Sequence, residues 1–385
     1  MKVRSLSQAS STSNVPSHPP IFVTRPFLPP LADLIPMLEQ IWETRVLTNN
    51  GPFHSRLEAR LCEYLGVPAV SLVTNGMLAL TAAIDAAGLE GEVITTPYSF
   101  VATTHAVKLG KLEPVFVDVR ASDLNIDTDL IEAAITPRTS AIVAVHCYGN
   151  PCDVDAIKAI ADRHGLTVIY DAAHAFGVRY RGEGLLRHGD YSTLSFHATK
   201  AFNTFEGGAV VCGDAANKAG VDQARNFGIA SEVDIPAVGT NAKMSEFNAA
   251  LGLLQLDHFD EVLRARRAVD GIYRELLSGI EGLDVLAIPE GVEPNFSYFP
   301  ILVREGFPVT RDGLYDRLKA HGVLARRYFY PLLSSLPMYR KMPSANPEQL
   351  TVATQAAQQI LCLPIYPGLT LEQQEMIVRL VRSAT

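Results

Sequence analysis

The chain has 385 residues, 48% hydrophobic and 19% charged, a composition that excludes a disordered chain. That length exceeds one small core and accommodates a large and a small domain. The formal net charge of -8 argues against nucleic acid or an anionic membrane as a partner held by bulk electrostatics.

The first segment, "MKVRSLSQASSTSNVPSHPP", has no apolar stretch of the kind a secretory signal needs. Its Ser and Pro content predicts a mobile leader over residues 1–22. No later apolar run approaches the ~20 residues that cross a bilayer. The five cysteines, Cys62, Cys147, Cys152, Cys212 and Cys362, are scattered without a CxxC pair. They read as reduced core thiols of a cytoplasmic protein, with no disulfide and no metal site.

"PPLADLIPMLEQIWETRVL" carries apolar residues at helical spacing, and "TNNGPF" (Thr48–Phe53) breaks it with a Gly-Pro turn. "HSRLEARLCEYLG" predicts a helix over His54–Gly66. Strand-like and helical runs then alternate. "AVSLVT" precedes a helix over Asn75–Gly88, and "EVITTP" precedes another over Tyr98–Gly110. "EPVFVDV" leads to "DTDLIEAAI", and "SAIVAVHCYG" leads to "DVDAIKAIADRHG". "LTVIYD" ends on Asp171, "YSTLSF" ends on Phe196, and "GGAVVC" follows. Short, continuously apolar runs between helices predict an α/β fold with a mostly parallel sheet covered on both faces. Ligands of such sheets lie beyond the carboxyl ends of the strands. A long helical stretch over Met244–Leu277 follows. "NFSYFPILV" then opens a smaller α+β region. The division expected is a large domain over residues 23–265 and a small one over 266–385.

"SFHATKAFNTFEGG" (Ser195–Gly208) holds one lysine, Lys200, and one acid, Glu206, among aromatic and small residues. Lysine is ordinarily a surface residue. As a nucleophile it must be neutral, and an apolar site lowers its proton affinity. Asp171 ends an apolar strand, where it either caps a helix or holds a protonated heteroaromatic nitrogen. "TNGMLAL" reads as a strand, a Gly turn and a helix start, which is either an ordinary connection or a phosphate site. Phe100 in "TPYSFVATTHA" is either a core residue or a ring that stacks on a flat ligand.

The order of these pieces is phosphate turn, aromatic, acid, then Ser-x-x-x-x-Lys. In that order the chain resembles the fold-type I pyridoxal phosphate (PLP) enzymes, and among them the DegT/DnrJ/EryC1/StrS family of sugar-nucleotide aminotransferases. The matching segments are "TNGMLAL", "TPYSFVAT", "PVFVDV", "VHCYGNPCDVDAI", "YDAAHAFG", "SFHATKAFNTFEGGAVV", "NAKMSEFNAALGL" and "LCLPIYPGLT". They run from about Thr24 to the C-terminus.

The resemblance implies pyridoxal 5'-phosphate as cofactor and Lys200 as its Schiff-base lysine. It places Ser195, Asn75, Gly76 and Met77 at the phosphate, Asp171 at the ring nitrogen and His174 at the ring's phenolic oxygen. Phe100 stacks on the ring. The family builds its site across a homodimer, so Asn241 reaches the phosphate of the neighbouring subunit, although Ala242 stands where the family usually has an aromatic. A lysine at this position, where sugar-dehydrating members carry histidine, implies transamination with L-glutamate as donor. "LPPLADLIPMLEQIWETRVLTNNGPFHSRLE" and "ARRYFYPLL" resemble members that aminate C4 of dTDP-4-keto-6-deoxyglucose. On that resemblance Arg326, Tyr328 and Tyr330, with Arg327 beside them, meet the nucleotide sugar. Thr48, Asn49, Asn50 and Gly51 line the sugar pocket. Amination at C3, a GDP- or UDP-linked sugar, and a PLP-binding regulator without turnover are the alternatives.

Overall fold

In the computed structural model, which describes residues 19–383, the apolar runs form a seven-stranded sheet. From one edge to the other the strands are Ala69–Val73, Gly208–Cys212, Tyr191–Ser195, Thr167–Asp171, Thr139–Val145, Glu92–Thr95 and Glu113–Phe116. Only Gly208–Cys212 runs antiparallel to its neighbours. It follows its partner directly through residues 196–207, and a direct return reverses strand direction where a crossover helix would preserve it.

Alternate residues of each strand feed different cores. Val70, Leu72, Ile142 and Ala144 pack on one side of the sheet. Ala69, Val73, Ala141 and Val143 pack on the other. The helix Gly76–Ala86 covers the second face with Ala79, Leu80 and Ala83, and Val154–His164 covers the first with Ile157 and Ile160. Six strands therefore end at one edge, on Val73, Thr95, Phe116, Val145, Asp171 and Ser195.

Several predicted elements shift. The helix expected from Tyr98 begins at Val101, which leaves Tyr98–Phe100 in the preceding turn. "DTDLIEAAI" makes one helical turn, Thr128–Ile131, and then a 3-10 turn. The stretch expected as one helix over Met244–Leu277 is two, Glu246–Asp257 and Phe259–Leu277, which meet at His258. The first is buried nearly all round while the second buries one face, so the two need different orientations.

The helix expected from His54 begins earlier, at Pro52, because distant chemistry caps it. The fully buried carboxylate of Glu246 accepts the backbone N–H groups of Phe53 (2.8 Å) and His54 (3.0 Å). A Cβ on Gly51 would lie 2.5 Å from the Glu246 carboxyl carbon, so glycine is what permits this approach.

Beyond the sheet, Leu283–Val285, Phe299–Val303 and Ile360–Leu363 form a three-stranded antiparallel sheet over a separate core with Tyr273, Leu314 and Ile377. The helix Phe259–Leu277 serves both cores, Val262 in the large one and Val269 in the small one. The boundary expected at residue 265 falls inside it. Between these two side chains Arg266 is buried and donates to the carbonyls of Phe296 (3.0 Å) and Ile365 (3.3 Å). Of the expected leader, residues 1–18 lie outside the described residues. Its end, Ile21–Phe22, forms a short strand parallel to Val323–Leu324, with Ile21 buried in the small core. All five cysteines are free thiols, four of them buried. Among the described residues no helix is long and apolar enough to cross a membrane, and no cluster of His, Cys, Asp or Glu is arranged to hold a metal.

Glu246→Ala leaves two buried amides without an acceptor and is expected to cost about 2 kcal/mol, read as a lower urea midpoint at unchanged slope. A loss below about 0.5 kcal/mol would show that these amides find other partners.

Candidate active site

The strand ends open into a cavity of about 650 Å³, ordinary for a small-ligand site. At one end lies the turn into the helix Gly76–Ala86. Asn75 caps it, its side-chain oxygen accepting the Leu78 N–H at 2.9 Å. The amides of Gly76 and Met77 have no acceptor within the helix, which makes this end a donor surface for an anion. A Cβ on Gly76 would lie 2.7 Å from the Ser195 Cβ and 3.2 Å from its hydroxyl. Only glycine lets the helix end lie against Ser195, and the pair forms a cradle of two amides and a hydroxyl, the donor set a phosphate takes.

Asp171 is 6% exposed at the end of its strand. The Thr103 hydroxyl donates to one carboxylate oxygen at 2.7 Å, and the Ala173 amide donates to the other at 3.2 Å. Thr103 has one proton to give, so the Ser99 hydroxyl, 2.7 Å away, is the donor in that pair. Burial raises the proton affinity of Asp171, and these two donors together with the Lys200 charge oppose the rise. The carboxylate is thus held in place for a cationic partner that protein groups alone do not complete.

His174 is buried, and burial followed by the nearby Lys200 charge holds it well below the usual imidazole range, hence neutral. The Tyr148 amide donates to its Nδ1 at 3.3 Å, which leaves the proton on Nε2 as a donor. The ring lies parallel to Phe329 and Tyr148, with centroids 5.7 and 6.5 Å away, and meets the Tyr298 ring edge-on at 4.9 Å. Lys200 stands on the connection between two buried strands, its amide bonded to the His197 carbonyl at 2.9 Å. Its side chain borders the cavity but is otherwise enclosed by protein. Burial lowers its pKa to about 8, and the Asp171 charge partly opposes the fall. An amine so placed is neutral in a substantial fraction near neutral pH, as a nucleophile or a general base requires.

The DegT/DnrJ/EryC1/StrS aminotransferase family model matches residues 32–382. This chain belongs to that family. It is 52% identical over 364 residues to a dTDP-4-amino-4,6-dideoxy-D-glucose transaminase of Shigella dysenteriae, covering 94% of this chain and 98% of the relative. A transaminase of the same name from Escherichia coli is 49% identical over 361 residues, covering 94% of this chain and 96% of the relative. The fold matches the crystal structure of DesI in the presence of its TDP-sugar product, with a TM-score of 0.91 and 38% identity over 95% of this chain and 93% of that one.

Within one chain of the aminotransferase the cavity gathers Asn75, Gly76, Met77, Phe100, Asp171, His174, Ser195 and Lys200 from the sequence reading, with Arg326 and Tyr328. Phe100 is 56% exposed at the cavity wall, free to cover a flat ligand. Arg326 is pinned through its backbone to Cys362, and its guanidinium has no partner among the described residues. Arg327 is engaged elsewhere, over the Tyr315 ring at 4.0 Å and on Asp312 at 2.9 Å. Tyr330 lies under the Arg311 guanidinium at 4.7 Å and does not line the cavity.

Thr48, Asn49, Asn50, Gly51 and Asn241 do not line the cavity of their own chain. Asn50 accepts from the buried Arg225 at 3.3 Å, Asn226 bridges Asn241, and Lys243 donates to the Asn241 side chain at 2.8 Å. Thr48, Asn49, Asn50 and Asn241 are exposed, whereas Gly51 is buried against Glu246.

Sequence reasoning missed Thr103, Ser99, Tyr298 and Phe329. Thr103 and Ser99 carried a faint signal, two hydroxyls one helical turn apart beside Phe100. Tyr298 and Phe329 carried none, because an aromatic in an apolar strand reads as core.

Amine-selective labelling of the cofactor-free protein is expected to modify Lys200 ahead of the other lysines. Its rate should rise as the ammonium loses its proton and level off above pH about 8 rather than above about 10.5. A Lys200 rate still climbing steeply between pH 9 and 10, followed by mass spectrometry of peptides, would show an ordinary solvated lysine.

Proposed function

We propose that the protein is a PLP-dependent aminotransferase that moves the amino group of L-glutamate to C4 of dTDP-4-keto-6-deoxy-D-glucose, giving dTDP-4-amino-4,6-dideoxy-D-glucose. The observation that carries the chemistry is the lysine of lowered proton affinity in one cavity with a buried carboxylate and a phosphate cradle. The two relatives named for dTDP-4-amino-4,6-dideoxy-D-glucose support the choice of sugar and position.

Gly76, Met77 and Ser195 would hold the phosphate, Asp171 the ring nitrogen, and His174, through Nε2–H, the phenolic oxygen, with Phe100 over the ring. When bound, pyridoxal phosphate supplies a carbonyl carbon that takes up the amine and a ring that accepts the electrons released from the donor's α-carbon. Asp171 keeps a proton on the ring nitrogen by its charge. His174, fixed as a neutral donor, orients without adding a second positive charge. Lys200 Nζ takes the proton from the α-carbon of glutamate and, in the return half, delivers one to the carbon that receives the amine. Arg326, with donors only, pairs with the diphosphate, and Tyr328 lies alongside the sugar or base.

The same reading makes the protein a homodimer whose second subunit brings Asn241 and Thr48–Gly51 to the cavity. Exposed apolar side chains beside these residues, Leu47 at 61% and Phe227 at 50%, support it. Sedimentation at assay concentration should show a dimer, and a fully active monomer would count against the shared site.

The function is tested by incubating the protein with PLP, 15N-labelled L-glutamate and dTDP-4-keto-6-deoxy-D-glucose, then locating the label by NMR. Label at C4 is expected, and Lys200→Ala should lower the rate at least about a thousandfold. Label at C3, turnover restricted to GDP- or UDP-linked sugars, or a cofactor band that glutamate does not alter would each overturn this reading.

A further inference from the structure

Glu206 is the acid of the Lys200 segment, and neither cofactor nor lysine chemistry uses it. Its backbone is held tightly. The Thr204 hydroxyl donates to the Glu206 carbonyl at 2.9 Å, and the Phe196 amide donates to the next carbonyl, that of Gly207, at 2.8 Å. Its side chain lines the same cavity as Lys200. One carboxylate oxygen lies 3.6 Å from His197 Nε2. That imidazole is itself fixed, because the Thr199 amide (3.2 Å) and hydroxyl (2.8 Å) both reach its Nδ1, leaving the proton on Nε2. The other oxygen of Glu206 has no partner among the described residues, and the side chain is 63% exposed.

A carboxylate takes donors only. The anionic parts of the proposed ligands, a diphosphate and the two carboxylates of glutamate, are repelled by it. Two donor groups remain, the ammonium of glutamate and the hydroxyls of the hexose. The ammonium must reach the position of Lys200 Nζ, which lies enclosed over the Tyr298 ring, 6.0 Å from its centroid. The Glu206 carboxylate instead stands beside the exposed His197 imidazole, on a solvent-facing part of the same cavity lining, which suits the unreacting part of the sugar better than the reacting nitrogen. Resting on the function proposed above, we infer that Glu206, braced by His197, is a specificity-determining residue that accepts a hydrogen bond from a ring hydroxyl of the hexose. Arg326 and Glu206 then set opposite charges in one cavity. The guanidinium draws the diphosphate and the carboxylate draws the neutral polyol, which fixes the direction in which the nucleotide sugar enters.

The test uses the holoenzyme and the keto sugar. Glu206→Ala is expected to raise its KM about tenfold or more, the effect of losing a hydrogen bond to a charged group, with kcat changed far less. Inhibition by dTDP alone should stay equal or tighten, since a negative charge has left the cavity. A keto-sugar analogue lacking the recognised hydroxyl, found among the 2-deoxy and 3-deoxy compounds, should be penalised by the wild type and not by the variant. Glu206→Gln keeps an acceptor oxygen and should fall between the two, and it carries the test if Glu206→Ala loosens the Lys200 segment. The inference is overturned if dTDP inhibition weakens in parallel with KM, if the KM for glutamate rises instead, or if both deoxy penalties are equal in wild type and variant. A wild type that turns over no nucleotide-linked 4-keto sugar fails the proposed function itself, an outcome distinct from all of these.

Discussion

Lys200 rides on the connection between Tyr191–Ser195 and Gly208–Cys212, two strands buried on both faces, and the enclosure that results lowers its pKa to about 8. Most of the site is arranged around the cost of keeping that ammonium from water. Asp171 opposes the shift by its charge, so the amine is poised between two forms rather than held in one. Had burial acted alone, the lysine would be neutral and would lack a nearby counter-charge when it takes up a proton. Had the carboxylate dominated, it would be a fixed cation and no base.

The parallel sheet makes this arrangement possible. Residues distant in the chain, Asn75, Asp171 and Ser195, meet because their strands point the same way and end at one edge. The antiparallel strand Gly208–Cys212 enters from that same edge, and its Gly208 is hemmed by Asn75, where a Cβ would lie 2.7 Å from the carbonyl carbon. Two glycines thus let a helix end, a strand end and a returning strand converge within van der Waals distance. Bulk at either would push apart the donors of the phosphate cradle.

Much of this was legible in the chain. Continuous apolar runs announced buried strands, and the interruptions between them announced crossovers. Asp171, Ser195 and Lys200 could be placed at strand ends because hydrophobic runs stop there. The less legible parts have particular causes. The helix at Pro52 starts where it does because Glu246, nearly two hundred residues away, accepts its first amides. The break at His258 separates a helix buried all round from one buried on a single face, a difference set by neighbours and not by propensity. Tyr298 and Phe329 join the site only because the small antiparallel sheet and the segment beside it close over the strand ends of the large one. Arg327 and Tyr330, near Arg326 in sequence, turn elsewhere because Asp312 and Arg311 engage them.

The sequence by itself determined the alternation of strands and helices, the glycine turn, the strand-ending acid and the unusual lysine, since each is a local pattern of hydrophobicity and chemistry. It also showed Glu206 as the one acid of the lysine's segment. Only the tertiary structure decided which of these side chains share one cavity, which proton each histidine carries, and how far burial depresses Lys200. Those properties depend on distances between residues remote in the chain and on how much water is excluded around them, and neither is written in a local pattern.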